Sequence, residues 1–392
     1  MPRLTAPRRY QLDKVSLRAL ERGHPWIFRK HLSSAAAVVA DGQWLRLVDG
    51  GTRVVGWGIY EAEGAIGVRI LKRGEGAPDA RWLGARIHQA LAWRAELRRR
   101  TDAFRLLHGE NDGLPAVTFD VYGRVGVLQT YSPGADPLGR LAAIIARRGL
   151  DLESVVWKPP RRRRTGGPPA PRLLYGPPPG TVTFTEDGLH LSVDPIGGQK
   201  SGAFLDLRNL RRWVAGRALA GRRVLNLFSY TGALGAAALA AGPAEVWNVD
   251  ASAAALELGA SHHGGPGVRW IEADVFDWLP ALDAGERFDL VVVDPPAMTS
   301  RRSEVPRALA AYRRLYAQVE PHVAAGGQVI ACCCTSRITL ADLRRAVDGG
   351  LGPRFHFVER LPAEADHPVR FAESDYLKVI LYSAAPANQG GT

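Results

Sequence analysis

Three consecutive cysteines, Cys332, Cys333 and Cys334, are all the cysteine the chain has. They end an apolar run, 327–334, that reads as a strand. In an extended strand Cys332 and Cys334 point to one face and Cys333 to the other, with Cys334 nearest the strand's exit. A thiolate is a strong nucleophile. One reaction that needs such a group is methylation of a pyrimidine at carbon 5, which is a poor nucleophile by itself. Thiolate addition at carbon 6 makes carbon 5 enolate-like, so that it can attack a methyl group. The competing reading is that a free cysteine is a small buried hydrophobe. That reading suits Cys332 and Cys333 and leaves Cys334 divided between the two. Adjacent cysteines with no fourth cannot close a tetrahedral zinc site, so no metal is expected. Nor do they make a disulfide framework, so a reducing compartment is expected.

A second set of residues stands at successive strand ends. One strand runs out through Asn226-Leu227-Phe228-Ser229-Tyr230-Thr231-Gly232, the next ends at Asp250, a third leads to Asp274, and a fourth ends in Asp294-Pro295-Pro296. Ligands of open parallel sheets sit beyond the carboxyl ends of the strands, and the interval from Gly232 to Asp250 suits a carboxylate that accepts hydrogen bonds from a ribose diol. A dinucleotide would want a GxGxxG loop to bring its pyrophosphate to a helix N-terminus, whereas this loop has only Gly232 and Gly235. S-adenosylmethionine carries no phosphate, and its sulfonium suits an acidic site. A single Asp at a strand end is equally well a helix N-cap; the set, with Asp-Pro-Pro, argues for a site. Two prolines after Asp294 make a stiff, extended loop lacking two backbone donors, able to hold the Asp and its carbonyl against a flipped base.

The elements that would position these residues alternate from about residue 195 onward. Helices are expected at 205–219, 233–241, 253–261 and 305–318, and strands at 224–228, 245–250, 268–272, 288–294 and 327–334. This alternation predicts a doubly wound, mostly parallel α/β sheet. Upstream, short apolar runs at 44–48, 54–60 and 65–71 broken by glycine predict a small β-barrel. A helix over 82–100, strands at 116–121 and 125–131, a helix at 138–148 and a strand at 154–158 follow. The Pro/Gly-rich stretch 159–180 carries Arg161–Arg164, either a solvated loop or a contact for RNA phosphates, and a hairpin turns at Glu186-Asp187-Gly188. The expected domains are 1–75, 76–190 and 191–392.

Lys plus Arg number 51 against 39 Asp plus Glu, a net charge of +12 over 392 residues. Such a surplus points to a polyanionic partner, nucleic acid first; Arg-favouring codon usage is the alternative explanation. No apolar segment precedes residue 12 as a signal peptide would, no long uncharged apolar stretch predicts a membrane span, and no membrane partner is expected. The expected location is the cytoplasm.

With these residues in place, nearly the whole chain resembles the bacterial large-subunit ribosomal RNA cytosine-5 methyltransferases. The segment 198–206, GQKSGAFLD, is similar to that family's GQKTGFFLD. NLFSYTG at 226–232 resembles its cofactor motif and DPPA at 294–297 its target-base motif. Asp366-His367-Pro368 and Tyr376-Leu377-Lys378 look like its DHP and YLK signatures, and His24-Pro25-Trp26-Ile27-Phe28 like the opening of its PUA domain. The resemblance implies a Rossmann-like class I methyltransferase domain preceded by a PUA-like β-barrel and a small central α+β domain. It implies S-adenosylmethionine as cofactor, S-adenosylhomocysteine as product and large-subunit rRNA as partner, with a second copy of the chain left open. It places the nucleophile at Cys334. Asn226, Phe228, Ser229 and Gly232 would border the methionine and ribose, Asp250 the ribose hydroxyls and Asp274 the adenine amino group. Asp294 would meet the pyrimidine edge near ring nitrogen 3, next to Pro295 and Pro296, and Gln199, Lys200 and Phe204 would line the substrate pocket. The chain departs from the family's Ser-Cys-Ser at Cys333 and Thr335. Two other readings stay open: methylation of a base nitrogen, which needs no thiol, and a non-catalytic RNA-binding assembly factor.

Overall fold

The computed structural model describes residues 6–33, 38–159, 169–242, 244–299 and 301–386; the basic run at 161–164 lies outside them. The chain divides into two compact units. The first comprises Met1–Thr185, Val193–Leu205 and Ala365–Phe371; the second comprises Glu186–Ser192, Asp206–Glu364 and Ala372–Thr392.

In the first unit, β1 (Arg8–Gln11), β2 (Trp26–Phe28), β3 (Trp44–Val48), β4 (Val54–Tyr60) and β5 (Ile66–Arg73) form one sheet in the order β1-β3-β4-β5-β2. The β1–β3 pair is parallel and the rest antiparallel. The expected glycine bends are present. The β4–β5 register shifts between Trp57 and Gly58, and a Cβ on Gly58 would lie 2.5 Å from Val68 Cγ1 and 2.8 Å from the Arg69 carbonyl oxygen, so only glycine fits there. Helix α1 (Lys14–Glu21) starts at Asp13, whose carboxylate accepts the Ser16 N–H at 2.7 Å.

A second sheet runs β10-β9-β8-β7-β6, built from β6 (Ala103–His108), β7 (Val117–Tyr122), β8 (Val125–Thr130), β9 (Ser154–Lys158) and β10 (Arg172–Tyr175). β8 and β9 are parallel, joined by the crossover helix α3 (Asp136–Leu150). Helix α2 covers Ala80–Trp93, so the helix expected to reach residue 100 stops earlier. Arg94, fully buried, turns inward at that point. Its guanidinium forks onto Asp112 at 2.8 and 2.6 Å and donates to the Arg105 carbonyl at 2.9 Å. Leu83, Ile87, Leu138 and Ala142 of these helices pack with Trp44, Trp57 and Phe119 in one apolar core shared by both sheets. The chain then makes the expected hairpin, β11 (Val182–Glu186) and β12 (Leu189–Val193), turning through Asp187 and Gly188 at φ 48° and 88°.

The main sheet of the second unit has seven strands: β13 (Arg222–Leu227), β14 (Ala244–Asp250), β15 (Val268–Glu272), β16 (Phe288–Val293), β17 (Val323–Cys334), β18 (Phe355–Arg360) and β19 (Leu377–Ala384), ordered β15-β14-β13-β16-β17-β19-β18. All neighbours are parallel except those of β19, which runs antiparallel between β17 and β18. The helices are α4 (Arg208–Ala215), α5 (Ala233–Ala240), α6 (Ala253–His263), α7 (Val275–Ala281), α8 (Val305–Val319) and α9 (Leu340–Leu351). Where the sequence predicts one helix over 205–219, the chain forms a 3-10 turn at Leu205–Leu207 and then α4, which ends at Gly216. Arg208 and Arg211 of α4 are buried on Glu186, with Arg208 also on Glu364. Among the described residues no helix is long and apolar enough to cross a membrane.

The Arg94–Asp112 pair is almost fully shielded from water, at 1% and 0% side-chain exposure, so removing one partner strands a buried charge. Asp112→Ala is expected to cost about 3–5 kcal/mol in urea unfolding. The double variant Arg94→Met/Asp112→Leu should recover most of that loss.

Candidate active site

Strand β13 is flanked by β14 on one side and β16 on the other, which makes its carboxyl end the switch point of the sheet. There the chain enters α5 through a tight loop in which Phe228, Tyr230 and Gly232 all have left-handed backbones, at φ 59°, 51° and 71°. Two non-glycine residues in that region mark a loop held by its surroundings. Asp250, at the end of β14, does the holding. Its two carboxylate oxygens accept the N–H groups of Tyr230 and Ser252, each at 2.8 Å, and Ser229 N–H reaches the Val249 carbonyl at 3.0 Å. The two glycines of the loop and helix serve packing. A Cβ on Gly232 would stand 2.4 Å from the Trp270 ring, and one on Gly235 2.5 Å from Asn248 Oδ1. That same Oδ1 accepts from Asn226 Nδ2 at 2.9 Å.

Within this tight construction, Asn226 Oδ1 and Ser229 Oγ are buried with no hydrogen-bond partner among the described residues. Buried polar atoms normally have partners. Two orphans at the switch point therefore fit a polar ligand, such as the charged amino-acid end of S-adenosylmethionine. At the end of β15, Asp274 is exposed and caps α7 by accepting the Phe276 N–H at 2.9 Å, so the capping role considered for such an Asp is real here. Phe276, left out of the sequence reading, is 40% exposed and its ring centroid lies 5.5 Å from that of Phe228. Its signal was its place two residues after Asp274, on the first turn of a helix too short to show a period.

On the other side of β13, Asp294 N–H reaches the Leu227 carbonyl at 3.4 Å. The Asp-Pro-Pro loop then passes over the end of β17, where Cys334 Sγ lies 3.9 Å from the Pro295 carbonyl oxygen. The three cysteines divide as strand alternation requires. Cys332 and Cys333 are wholly buried and Cys334 only partly. Cys333 belongs to the same apolar core as Tyr312 and Tyr316 of α8. Burial, reinforced by Asp294 and Cys334, pushes the Cys332 thiol well above its ordinary range, which keeps it protonated and inert.

Behind the cysteines stands Lys378 of β19, paired across the strands with Cys333 while Leu377 faces Cys334. Lys378 is buried, and its ammonium donates to the carbonyls of Thr335 and Asp375, each at 2.8 Å. Burial pulls its pKa down, and Cys333 and Asp375 oppose that shift. Tyr376 OH donates to Asp206 at 2.6 Å. The Lys378–Thr335 bond ties the segment after Cys334 to β19, and the long sequence separation of this pair and of Tyr376–Asp206 hides them from any local pattern.

The site of the second unit thus gathers Asn226, Phe228, Ser229, Gly232, Asp250, Asp274, Asp294, Pro295, Pro296 and Cys334 at the carboxyl ends of neighbouring strands. Gln199, Lys200 and Phe204 belong to the first unit. There Lys200, at φ 50°, sets its ammonium 4.5 Å from the Phe204 ring centroid. The segment is pinned by Lys158 Nζ on the Gly198 carbonyl and by a Ser201–Tyr122 hydroxyl pair at 2.9 Å.

Comparison with known proteins agrees with this construction. Residues 161–383 match the family described as S-adenosylmethionine-dependent methyltransferase, and residues 11–73 the PUA-like domain. A "Ribosomal RNA large subunit methyltransferase" of Deinococcus radiodurans is 32% identical, over 97% of this chain and 98% of its own length. A "Ribosomal RNA large subunit methyltransferase I" of Klebsiella pneumoniae is 33% identical, over 94% of this chain and 96% of its own. The structure of a putative SAM-dependent methyltransferase from Streptococcus mutans superposes with TM-score 0.83 at 21% identity, covering 96% of this chain and 100% of that one. Another solved chain of the same fold, a putative methyltransferase complexed with SAH, gives TM-score 0.84 at 20% identity over 96% and 100%. With a sheet of this order, unpartnered polar atoms at its switch point and relatives matched end to end, the chain belongs to the S-adenosylmethionine-dependent methyltransferases of the ribosomal RNA large subunit type, with a PUA-like domain at its N-terminal side.

Proposed function

We propose that this S-adenosylmethionine-dependent enzyme methylates carbon 5 of a cytosine in large-subunit ribosomal RNA, with Cys334 as the nucleophile. The observation that carries this reading is the approach of Cys334 Sγ to the Pro295 carbonyl, 3.9 Å, at the same end of the sheet as the Asn226 and Ser229 oxygens that lack partners among the described residues. When bound, the cofactor supplies an electrophilic methyl group on a sulfonium and leaves as S-adenosylhomocysteine. Asn226, Phe228, Ser229 and Gly232 would border its methionine and ribose, Asp250 the ribose hydroxyls, and Asp274 with Phe276 the adenine.

The chain's own chemistry then runs through three groups. Asp294 and the Pro295 carbonyl, backed by Pro296, face the edge of the flipped base, where cytosine presents an amino donor that uracil lacks. The Cys334 thiolate adds to carbon 6, forming the S–C bond and moving the ring's electron pair onto carbon 5. Carbon 5 takes the methyl group. Its proton then departs, the electron pair left behind restores the carbon 5–carbon 6 double bond, and the S–C bond breaks to return the thiolate. The fully buried Cys332 and Cys333 take no part.

In this reading residues 1–75 form an RNA-binding domain and 76–190 a supporting module. Residues 191–392 form the catalytic domain, and Gln199, Lys200 and Phe204 bind substrate. The net charge of +12 suits an RNA partner, and a ribosomal substrate suits a cytoplasmic enzyme.

Two outcomes are expected. With labelled S-adenosylmethionine and unmodified large-subunit rRNA, wild type should place label in 5-methylcytidine, and Cys334→Ala should lose at least about a thousandfold in rate. Cys333→Ala should stay within about tenfold of wild type. Label in another nucleoside, or activity that survives Cys334→Ala, would replace this reading with base N-methylation. In calorimetric titration with S-adenosylhomocysteine, Asp250→Ala should bind about 10–100-fold more weakly, the worth of a hydrogen bond to a charged group plus the loosened Tyr230 loop. Unchanged affinity would remove Asp250 from the cofactor site.

A further inference from the structure

The first unit carries a cavity of about 340 Å³, lined among others by His24, Trp26, Phe28, Phe371, Arg22 and Arg370. Four of these are rings set edge to face or tilted against one another. Trp26 and Phe371 have centroids 5.0 Å apart at 81°, His24 and Phe28 5.5 Å apart, and His24 and Phe371 6.2 Å apart. None of the four is fully buried, so this is an aromatic lining open to solvent and not part of the apolar core.

The lining is held rigidly from several directions. Trp26 Nε1 donates to Glu110 at 2.8 Å, and Glu110 is itself paired with Arg69. The loop before β2 is clamped by Arg73, whose guanidinium donates to the carbonyls of Leu20, Gly23 and His24. Phe371 and Arg370 arrive from the far end of the sequence. The segment Ala365–Phe371 leaves the second unit and packs in the first, where Asp366 is wholly buried. Its carboxylate accepts the Arg105 N–H at 2.8 Å and its carbonyl accepts from Arg94 at 3.2 Å. Arg370 N–H then donates to Asn111 at 3.0 Å. Together these bonds, at Asp366 and at the Arg370 N–H, fix Arg370 and Phe371 as part of the cavity wall.

We propose that this cavity binds one unpaired nucleotide of the RNA substrate; the inference rests on the RNA methyltransferase reading. The base stacks among the rings, since every nucleobase has a π-face and stacking is tolerant of sequence. The flanking phosphates meet the exposed guanidinium groups of Arg22 and Arg370. An aromatic cage for a methylated ammonium group is the other occupant such rings suggest, and two arginines in the same lining repel a cation. The size suits a single nucleotide and excludes a duplex, so the site selects for a bulged or looped residue, the form in which RNA exposes its bases.

The test uses the full chain and a fluorescein-labelled single-stranded oligouridine followed by fluorescence anisotropy at fixed ionic strength. Phe371→Ala should weaken binding about tenfold, while Phe371→Trp, which restores a ring, stays near wild type. Arg370→Ala should reduce the slope of log affinity against log salt by about 0.7, one phosphate's worth on a single strand. A duplex RNA probe should bind Phe371→Ala and wild type alike. Wild-type affinity of Phe371→Ala for oligouridine overturns the proposal, as does displacement of the probe by tetramethylammonium. If that happens while wild type still methylates rRNA, the cavity fails and the enzyme reading stands. If wild type neither binds oligouridine nor methylates rRNA, both fall.

Discussion

The parallel pairing of β16 with β17 sets Val293 beside Ala331, and everything at the ligand end of the sheet depends on that register. Counting outward, it sets the Asp294-Pro295-Pro296 loop beside the Cys332–Cys334 run that ends β17. A slip of one residue would exchange the faces of all three cysteines. Cys334 would turn into the core that now holds Cys333, and a buried thiol would front the loop. The register is secured from both sides. β16 is buried along most of its length against β13, and β17 is zipped to β19 continuously from Gln328 to Cys334. The antiparallel β19 has a further consequence: it delivers Lys378 to the carbonyls of Thr335 and Asp375 and so fixes the backbone just beyond Cys334.

The cofactor side follows a different economy of groups. A dinucleotide pocket spends glycines to bring backbone N–H groups to phosphate. Here Gly232 and Gly235 bring α5 close to Trp270 and Asn248, and the polar face is left to side chains. Asn226 and Ser229 keep oxygens unpartnered, while Asp250 shapes the loop through two backbone N–H groups. The same carboxylate that organises the loop is the one read as the ribose acceptor, so its loss should disturb both the loop and the ligand contact.

Much of this was legible in the sequence because the informative residues are local. Strand ends carrying Asp250, Asp274 and Asp294, the hairpin turn at Asp187-Gly188, and the alternation within Cys332–Cys334 are all short-range signals. What was hidden is long-range or fails to show a period. Helix α2 stops at Trp93 because Arg94 has a partner 18 residues on. Helix α7 is seven residues long and contains Pro280. Strands β18 and β19 are recognisable only once β17 offers an edge. Most hidden was the segment Ala365–Phe371, whose Asp366 is bound by Arg94 and Arg105, more than 250 positions earlier. Its motif could be quoted from the sequence, yet its place in the first unit could not.

The central claim, a covalent thioether between Cys334 and carbon 6 of the base, is most directly tested by trapping it. A large-subunit rRNA fragment carrying 5-fluorocytidine in place of cytidine can accept the thiolate and the methyl group, but carbon 5 then bears fluorine, which cannot leave as a cation in the proton's place. With S-adenosylmethionine present, wild type, Cys332→Ser and Cys333→Ser should each give a protein–RNA complex that survives denaturing electrophoresis, and Cys334→Ser should give none. No complex from wild type, under conditions where it methylates the unsubstituted fragment, would contradict the covalent mechanism, and a complex lost only in Cys333→Ser would move the nucleophile to the neighbouring residue.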